Sequence, residues 1–341
     1  MSKLHSLGLT TSIWKSLTFI YDSLREDCGR PVSLYSLIES MPELRSVLVE
    51  PEKTISTTNS VVRWHEWGTT PISYWPHRAR GELMGWRNDV GHYRSFITYR
   101  DEFANFGSCF TEDCEVDIQA VTGLSSSKSS LSDFSSLDEM VKTNSREMID
   151  SISEEKLRKN LAHNEIRILK PGNTDDFLAR FLWDGRFFLI NSGGSHHFAA
   201  ARYIASRLNV MVPIQSKLRT YGINQSAFNS LQCDYDMFVI PYAPEANNGF
   251  HKAMVSFRAT YLWQFLPKPY EDKKAIFFQR AKPARQKWRK CCGRQDFSIL
   301  ENTYPSLSCG RQESTPKTLP NRFLSNRGFF SRPRKYLNAC S

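Results

Sequence analysis

A chain of 341 residues, 40% hydrophobic and 13% aromatic, can bury a sizeable core, and its length favours about two domains; wholesale disorder and a disulfide-stapled miniprotein are excluded. The net charge of +10 is uneven, because from Lys273 onward 16 Lys or Arg stand against three acids, which leaves that segment at +13 and the remainder near −3. A segment this basic suits nucleic-acid phosphates or serves as a solvated tail. The eight cysteines form no paired C-x-x-C knuckles and the histidines follow no H-x-x-x-H pattern, so free thiols are expected and no structural zinc. No apolar run approaches the ~20 residues of a membrane span and no signal-peptide pattern is present, so the expectation is a cytoplasmic protein with no membrane partner.

In chain order, "TSIWKSLTFIYDSLRE" repeats Ile13, Leu17, Ile20 and Leu24 at helical spacing, and "PVSLYSLIESMPELRSVL" reads as a short helix begun near Pro31 and interrupted by Pro42. Residues 61–110 alternate aromatic and polar side chains, as short strands and turns do. His65, Glu66, His77, His92 and Cys109 lie there, but nothing in their spacing demands a metal, and polar residues of a β region are the expectation.

Eight serines between positions 125 and 136 mark a linker or disordered loop over 123–136. One or two helices follow in "SLDEMVKTNSREMIDSISEEKLRKNLAHN", with Ser136 and Glu139 as a capping box. The pattern then alternates: "NEIRILK" as a strand, "NTDDFLARFL" as a helix or turn, "GRFFLI" as a strand, "SHHFAAARYIASRLN" as a helix, "VMVPIQSKLRTY" and "YDMFVIPYAP" as strands. The fold class expected is α+β or α/β. The divisions expected are a helical and aromatic-rich region over 1–122, the linker over 123–136, an α/β core with flanking helices over 137–270 and a basic, partly irregular extension over 271–341.

The most informative stretch is "GRFFLINSGGSHHFAAARYIASRL", a buried strand running into a glycine turn and then a helix whose apolar face includes Phe198, Ala201, Ile204, Ala205 and Leu208. Gly193 and Gly194 allow positive φ and close backbone approach, and Ser195 is the expected cap. The first free helical amides favour phosphate or another anion, and His196 and His197 would sit beside it as candidate general acid or base. Arg167, Lys170 and Arg186 lie near enough in sequence to meet a phosphate. The bland alternative is a structural turn in which the histidine pair caps the helix and packs against Trp183, with both imidazoles neutral beside the helix dipole. Asp175 and Asp176 read as ordinary acids at a helix start.

These residues resemble the ParB/sulfiredoxin-like superfamily over about residues 164–219. "GSHHFAAA" is similar to that family's G-E-[HR]-R-x-x-A-A box, and "GGSHH" is similar to the sulfiredoxin G-G-C-H-R turn. The resemblance implies a small α/β core that holds nucleotide phosphates, a nucleoside triphosphate with Mg as ligand, and phosphoryl or phosphodiester hydrolysis if the protein is an enzyme. Gly194 takes the glycine position, Ser195 the acidic or cysteine position and His197 the arginine position, with Ala200 and Ala201 as the small helix residues. Serine at 195 removes the sulfiredoxin nucleophile and the ParB carboxylate, and histidine at 197 replaces a bidentate, permanently charged phosphate clamp. In the basic segment, Arg285, Lys287, Trp288, Arg289 and Lys290 form a basic and aromatic patch that fits single-stranded nucleic acid. The competing class is a non-enzymatic protein-interaction module in which the GGSHH turn is structural.

Overall fold

The computed structural model describes residues 32–44, 48–69, 80–170 and 174–280, together with Tyr21. The helix expected over 11–26, His77 and the patch Arg285, Lys287, Trp288, Arg289 and Lys290 lie outside the described residues, apart from Tyr21. The protein is a mixed α+β fold built on two five-stranded sheets.

Helix α1 (Val32–Ser40) stops before Pro42, as expected, and α2 (Thr57–Ser60) is a single turn capped by the Ser56 side chain. The first sheet begins with the hairpin β1 (Glu82–Asp89) and β2 (His92–Tyr99), joined by Val90 and Gly91. After α3 (Asp101–Ala104) the chain leaves this sheet for a second one.

The second sheet has the order β3-β7-β5-β6-β4 and occupies residues 107–223. β3 (Gly107–Asp117) pairs antiparallel along its whole length with β7 (Pro213–Ile223). β5 (Phe177–Phe181) runs parallel to β7 and antiparallel to β6 (Phe187–Ile190), and β4 (Val121–Leu124) runs parallel to β6. Helices α4 (Leu137–Asn144), α5 (Glu154–Leu161) and α6 (Ser195–Leu208) build the core on one face of this sheet. Period-two alternation sorts the side chains: Leu178 and Leu189 enter that core, whereas Ala179 and Phe188 enter a smaller cluster with Val61 and Phe181. Phe198, Ala201, Ile204 and Ala205 of α6 are buried as the helical period requires, and burying Phe198 alone contributes roughly 1.5–3 kcal/mol.

The chain then returns through α7 (Gln225–Asp234), β8 (Tyr235–Pro241), α8 (Pro244–Ser256), β9 (Tyr261–Phe265) and β10 (Lys273–Gln279), completing the antiparallel order β2-β1-β9-β10-β8. One face of this first sheet packs α1 and α8, and Trp64, Trp67, Phe103, Phe106 and Phe277 fill the other. The first sheet therefore draws its strands from both sides of the second.

Five expectations are corrected. Residues 1–122 and 137–270 are not separate regions, because β1 pairs with β9 while β3 and β4 belong to the second sheet. The basic extension does not begin at 271: Lys273–Gln279 is strand β10, hydrogen-bonded on both sides, with Ala275, Ile276 and Phe277 buried. "NEIRILK" is not a strand but loop and a 3-10 turn (Arg167–Leu169) that buries Ile166 and Ile168, and "NTDDFLARFL" contributes β5 rather than a helix or turn. The serine-rich stretch is an ordered connection, with Leu131 and Phe134 in the core and a 3-10 turn at Leu131–Asp133.

No helix among the described residues is long and apolar enough to cross a membrane.

Candidate functional site

The glycine turn joins β6 to α6. Gly194, at φ +69°, is the N-cap, and a Cβ there would stand 2.6 Å from the carbonyl oxygen of Glu165, so both conformation and space require glycine. Ser195 is thus the first helical residue and not the cap; its hydroxyl donates to Ser127 Oγ at 2.9 Å. The amides of Ser195, His196 and His197 precede any carbonyl that could accept them within the helix.

Asn191, buried at the end of β6, ties the serine loop to the turn. Its Oδ1 accepts from the amides of Ser125 and Ser126, and its Nδ2 donates to the carbonyls of Ser126 and Gly193. Between loop, turn and helices lies a cavity of about 540 Å³, lined among others by Lys128, Glu147, His163, Glu165, His196 and His197. Five serines at positions 126, 127, 145, 192 and 195 also line it. Its formal charges are one lysine against two glutamates, with three imidazoles, the Asn144 side chain, backbone amides and serine hydroxyls as the remaining polar lining.

The two adjacent histidines have different environments. His196 is bound on both ring nitrogens, Nδ1 to Ser145 Oγ at 2.5 Å and Nε2 to Ser129 Oγ at 3.2 Å. It clips the serine loop and the end of α4 to the start of α6. His197 Nδ1 meets Asn160 Oδ1 at 3.0 Å, and its ring stacks on His163 with centroids 3.6 Å apart and planes 15° from parallel. Burial holds both imidazoles below the ordinary histidine range; Lys128 adds to this at His196, and His163 adds to it at His197. Neutral histidines were expected from the helix dipole; the first cause of the lowered values at both rings is burial. Trp183 does not back this pair but stands against His65 and Phe181.

Other expected residues fall elsewhere. Arg186 is not a phosphate ligand of this cavity: it is ion-paired with Asp184 and donates to the carbonyls of Thr54 and Ser60, which locks α2 to β6. Arg167 lies at the rim, exposed, with Nη1 donating to Ser192 Oγ at 2.8 Å, and Lys170 donates to the carbonyl of Asn164. Asp176 is buried and accepts from the amide and hydroxyl of Ser192, so its role is to shape the turn and not to start a helix. His65 is half-buried among Phe181, Trp183 and Tyr221, while His92 and Cys109 are exposed on β2 and β3. No group of three or more His, Cys, Asp or Glu among the described residues is placed to hold a metal ion.

Asn160, His163, Lys128, Ser145, Glu147 and Glu165 were not singled out by sequence reasoning. They come from the serine loop, the 3-10 turn after α4, and α5 with the loop behind it, and no local motif joins them. No curated protein and no solved structure matches the chain. A family model does match over residues 111–290, which spans the serine loop, all three helices of the second sheet and the cavity, and the chain belongs to that family, DUF6685, a family of unknown function.

Proposed function

We propose that the protein binds a nucleotide or another phosphate-bearing small molecule in the cavity at the start of α6, with the phosphate on the first-turn amides and the hydroxyls around them. The observation that carries this reading is the cavity itself, which gathers the N-terminal end of a 14-residue helix, five serines and Lys128 around one space. The order of strand, glycine turn, helix and strand in β6, α6 and β7 supports kinship with the ParB/sulfiredoxin-like superfamily, and nucleotide phosphates are the ligand that kinship favours. A nucleic-acid contact through Arg285, Lys287, Trp288, Arg289 and Lys290 rests on charge and composition alone.

Calorimetry with a panel of nucleoside mono- and triphosphates tests the binding reading. Lys128→Ala is expected to weaken binding by roughly 1 kcal/mol, as loss of an exposed charge-assisted contact does. Absence of binding across the panel favours the second reading, an interaction module with a structural turn. The observation on its side is that both nitrogens of His196 are consumed by serines.

A further inference from the structure

The hydrogen bonds around His197 settle its tautomer. Asn160 is buried, and its Nδ2 donates to the carbonyls of Met148 at 3.0 Å and Lys156 at 3.1 Å, so the amide cannot be flipped without setting oxygen against two acceptors. Oδ1 therefore faces His197, and because a carbonyl oxygen only accepts, His197 Nδ1 must carry the proton. In the neutral ring Nε2 is then the lone-pair nitrogen, and no protein group among the described residues bonds it. His163 has the opposite tautomer: its Nδ1 accepts from the amide of Glu165 at 3.3 Å, which leaves the proton on Nε2. His196 offers no comparable nitrogen, since serines hold both of its own.

Resting on the phosphate-binding reading above, we propose that His197 is a general base of this cavity, activating water against the phosphoryl group of the bound ligand, with Asn160 as its positioning residue. Nε2 takes a proton from the water as its oxygen bonds to phosphorus. The bond from phosphorus to the leaving oxygen breaks with its electron pair on that oxygen, which then recovers the proton from Nε2. The net reaction is ester or anhydride plus water giving phosphate and the released alcohol or phosphate. The groups facing His197 are His163 and Glu165 from the loop behind α5, His196 on its own helix and Glu147 from the turn after α4. Burial and the two histidines keep the ring unprotonated near neutral pH, against the opposing pull of the two carboxylates.

The test uses the full chain with ATP, CTP and p-nitrophenyl phosphate as probes in magnesium-containing buffer, with binding read by calorimetry and turnover by released phosphate. Turnover of at least one probe is expected, with an acid limb below the ordinary histidine midpoint of ~6.5. His197→Gln should lower the rate on the order of 100-fold or more while probe affinity stays within about threefold. Asn160→Asp should move the acid limb up by about one pH unit wherever one carboxylate oxygen keeps the contact with Nδ1, because a carboxylate stabilises the imidazolium; a residue out of contact with His197 would not shift it. A probe that binds without turnover, or a His197→Gln chain that turns over at the wild-type rate, overturns the proposal and leaves the binding reading standing. An unmoved acid limb in Asn160→Asp overturns the positioning role. If no probe binds, the binding reading falls and takes the proposal with it.

Discussion

His163 and His197 stack with ring centroids 3.6 Å apart and planes 15° from parallel, and their Nδ1 atoms have opposite hydrogen-bond roles, an acceptor in His163 and a donor in His197. Two cations cannot share that spacing at low cost, so protonating one ring opposes protonating the other. Nitrogen-detected NMR should report a proton on Nδ1 of His197 and on Nε2 of His163 at neutral pH. The His197 midpoint should lie below the ordinary value and should rise in His163→Gln, which removes a neighbour that disfavours its charge. A midpoint unchanged by that substitution would show that burial alone sets it.

Half-buried His65 should make the fold acid-sensitive. Burial among Phe181, Trp183 and Tyr221 pushes its pKa down to about 4, and its Nδ1 has no hydrogen-bond partner among the described residues. With the folded value below the unfolded ~6.5, the unfolded chain binds more protons between these limits; the contribution is intact above pH ~6.5 and is lost as pH falls toward 4. The loss is on the order of 2–3 kcal/mol. His65→Phe should remove that portion of the pH dependence in urea unfolding followed from pH 7 to pH 4. A wild-type slope retained in the variant would place the sensitivity in His196, His197 and His251, which shift in the same direction.

Gly194→Ala should destabilise by about 2 kcal/mol or more. Its backbone is left-handed, and the added methyl meets the Glu165 carbonyl at 2.6 Å, backbone that cannot swing aside as a side chain could. Gly193→Ala is a control on the same turn, since its Cβ would find only ordinary contact with the Glu165 side chain. Equal losses in denaturant midpoint for the two variants would contradict this account.

The tip of the β1–β2 hairpin is improvable. Val90 is 95% exposed and holds φ at +46°, a conformation that a β-branched residue adopts at a cost and that asparagine tolerates. Gly91 already follows at φ +81°, so Val90→Asn creates the Asn-Gly pair preferred in two-residue hairpin turns. Stability should rise by roughly 0.5–1 kcal/mol in chemical denaturation. A loss instead would mean that the valine side chain contributes more than its exposure indicates.

The strand, glycine turn and helix leading to the cavity were legible because each signal was local: an apolar run, paired glycines and a helical apolar period coincide over residues 187–208. "NEIRILK" misled because alternating Ile166 and Ile168 are both buried, as in a strand, while the place beside β7 is taken by β5. Asp175 and Asp176 imitated a helix start, and the buried carboxylate of Asp176 is instead consumed by Ser192 sixteen residues away. Serine-rich composition suggested solvation, yet the hydroxyls of Ser127 and Ser129 bond Ser195 and His196 across the fold. Partnerships of that kind have no period along the chain. The same holds for Asn160 and His163, which only the packing of α5 on α6 brings beside His197.

The interleaving of the two sheets also dictates an order of assembly. Every strand of the second sheet has been synthesised once Ile223 has emerged, whereas β1 has only β2 as a neighbour until β9 arrives to pair with Met84, Gly85 and Trp86. During synthesis the hairpin must therefore wait with one edge open while a complete sheet forms beyond it, and closing that gap joins segments far apart in sequence, a slow class of contact. Nascent chains halted between Ile223 and Tyr261 should carry a protease-resistant second sheet and a sticky β1 edge, which makes that interval the vulnerable period in the life of this protein.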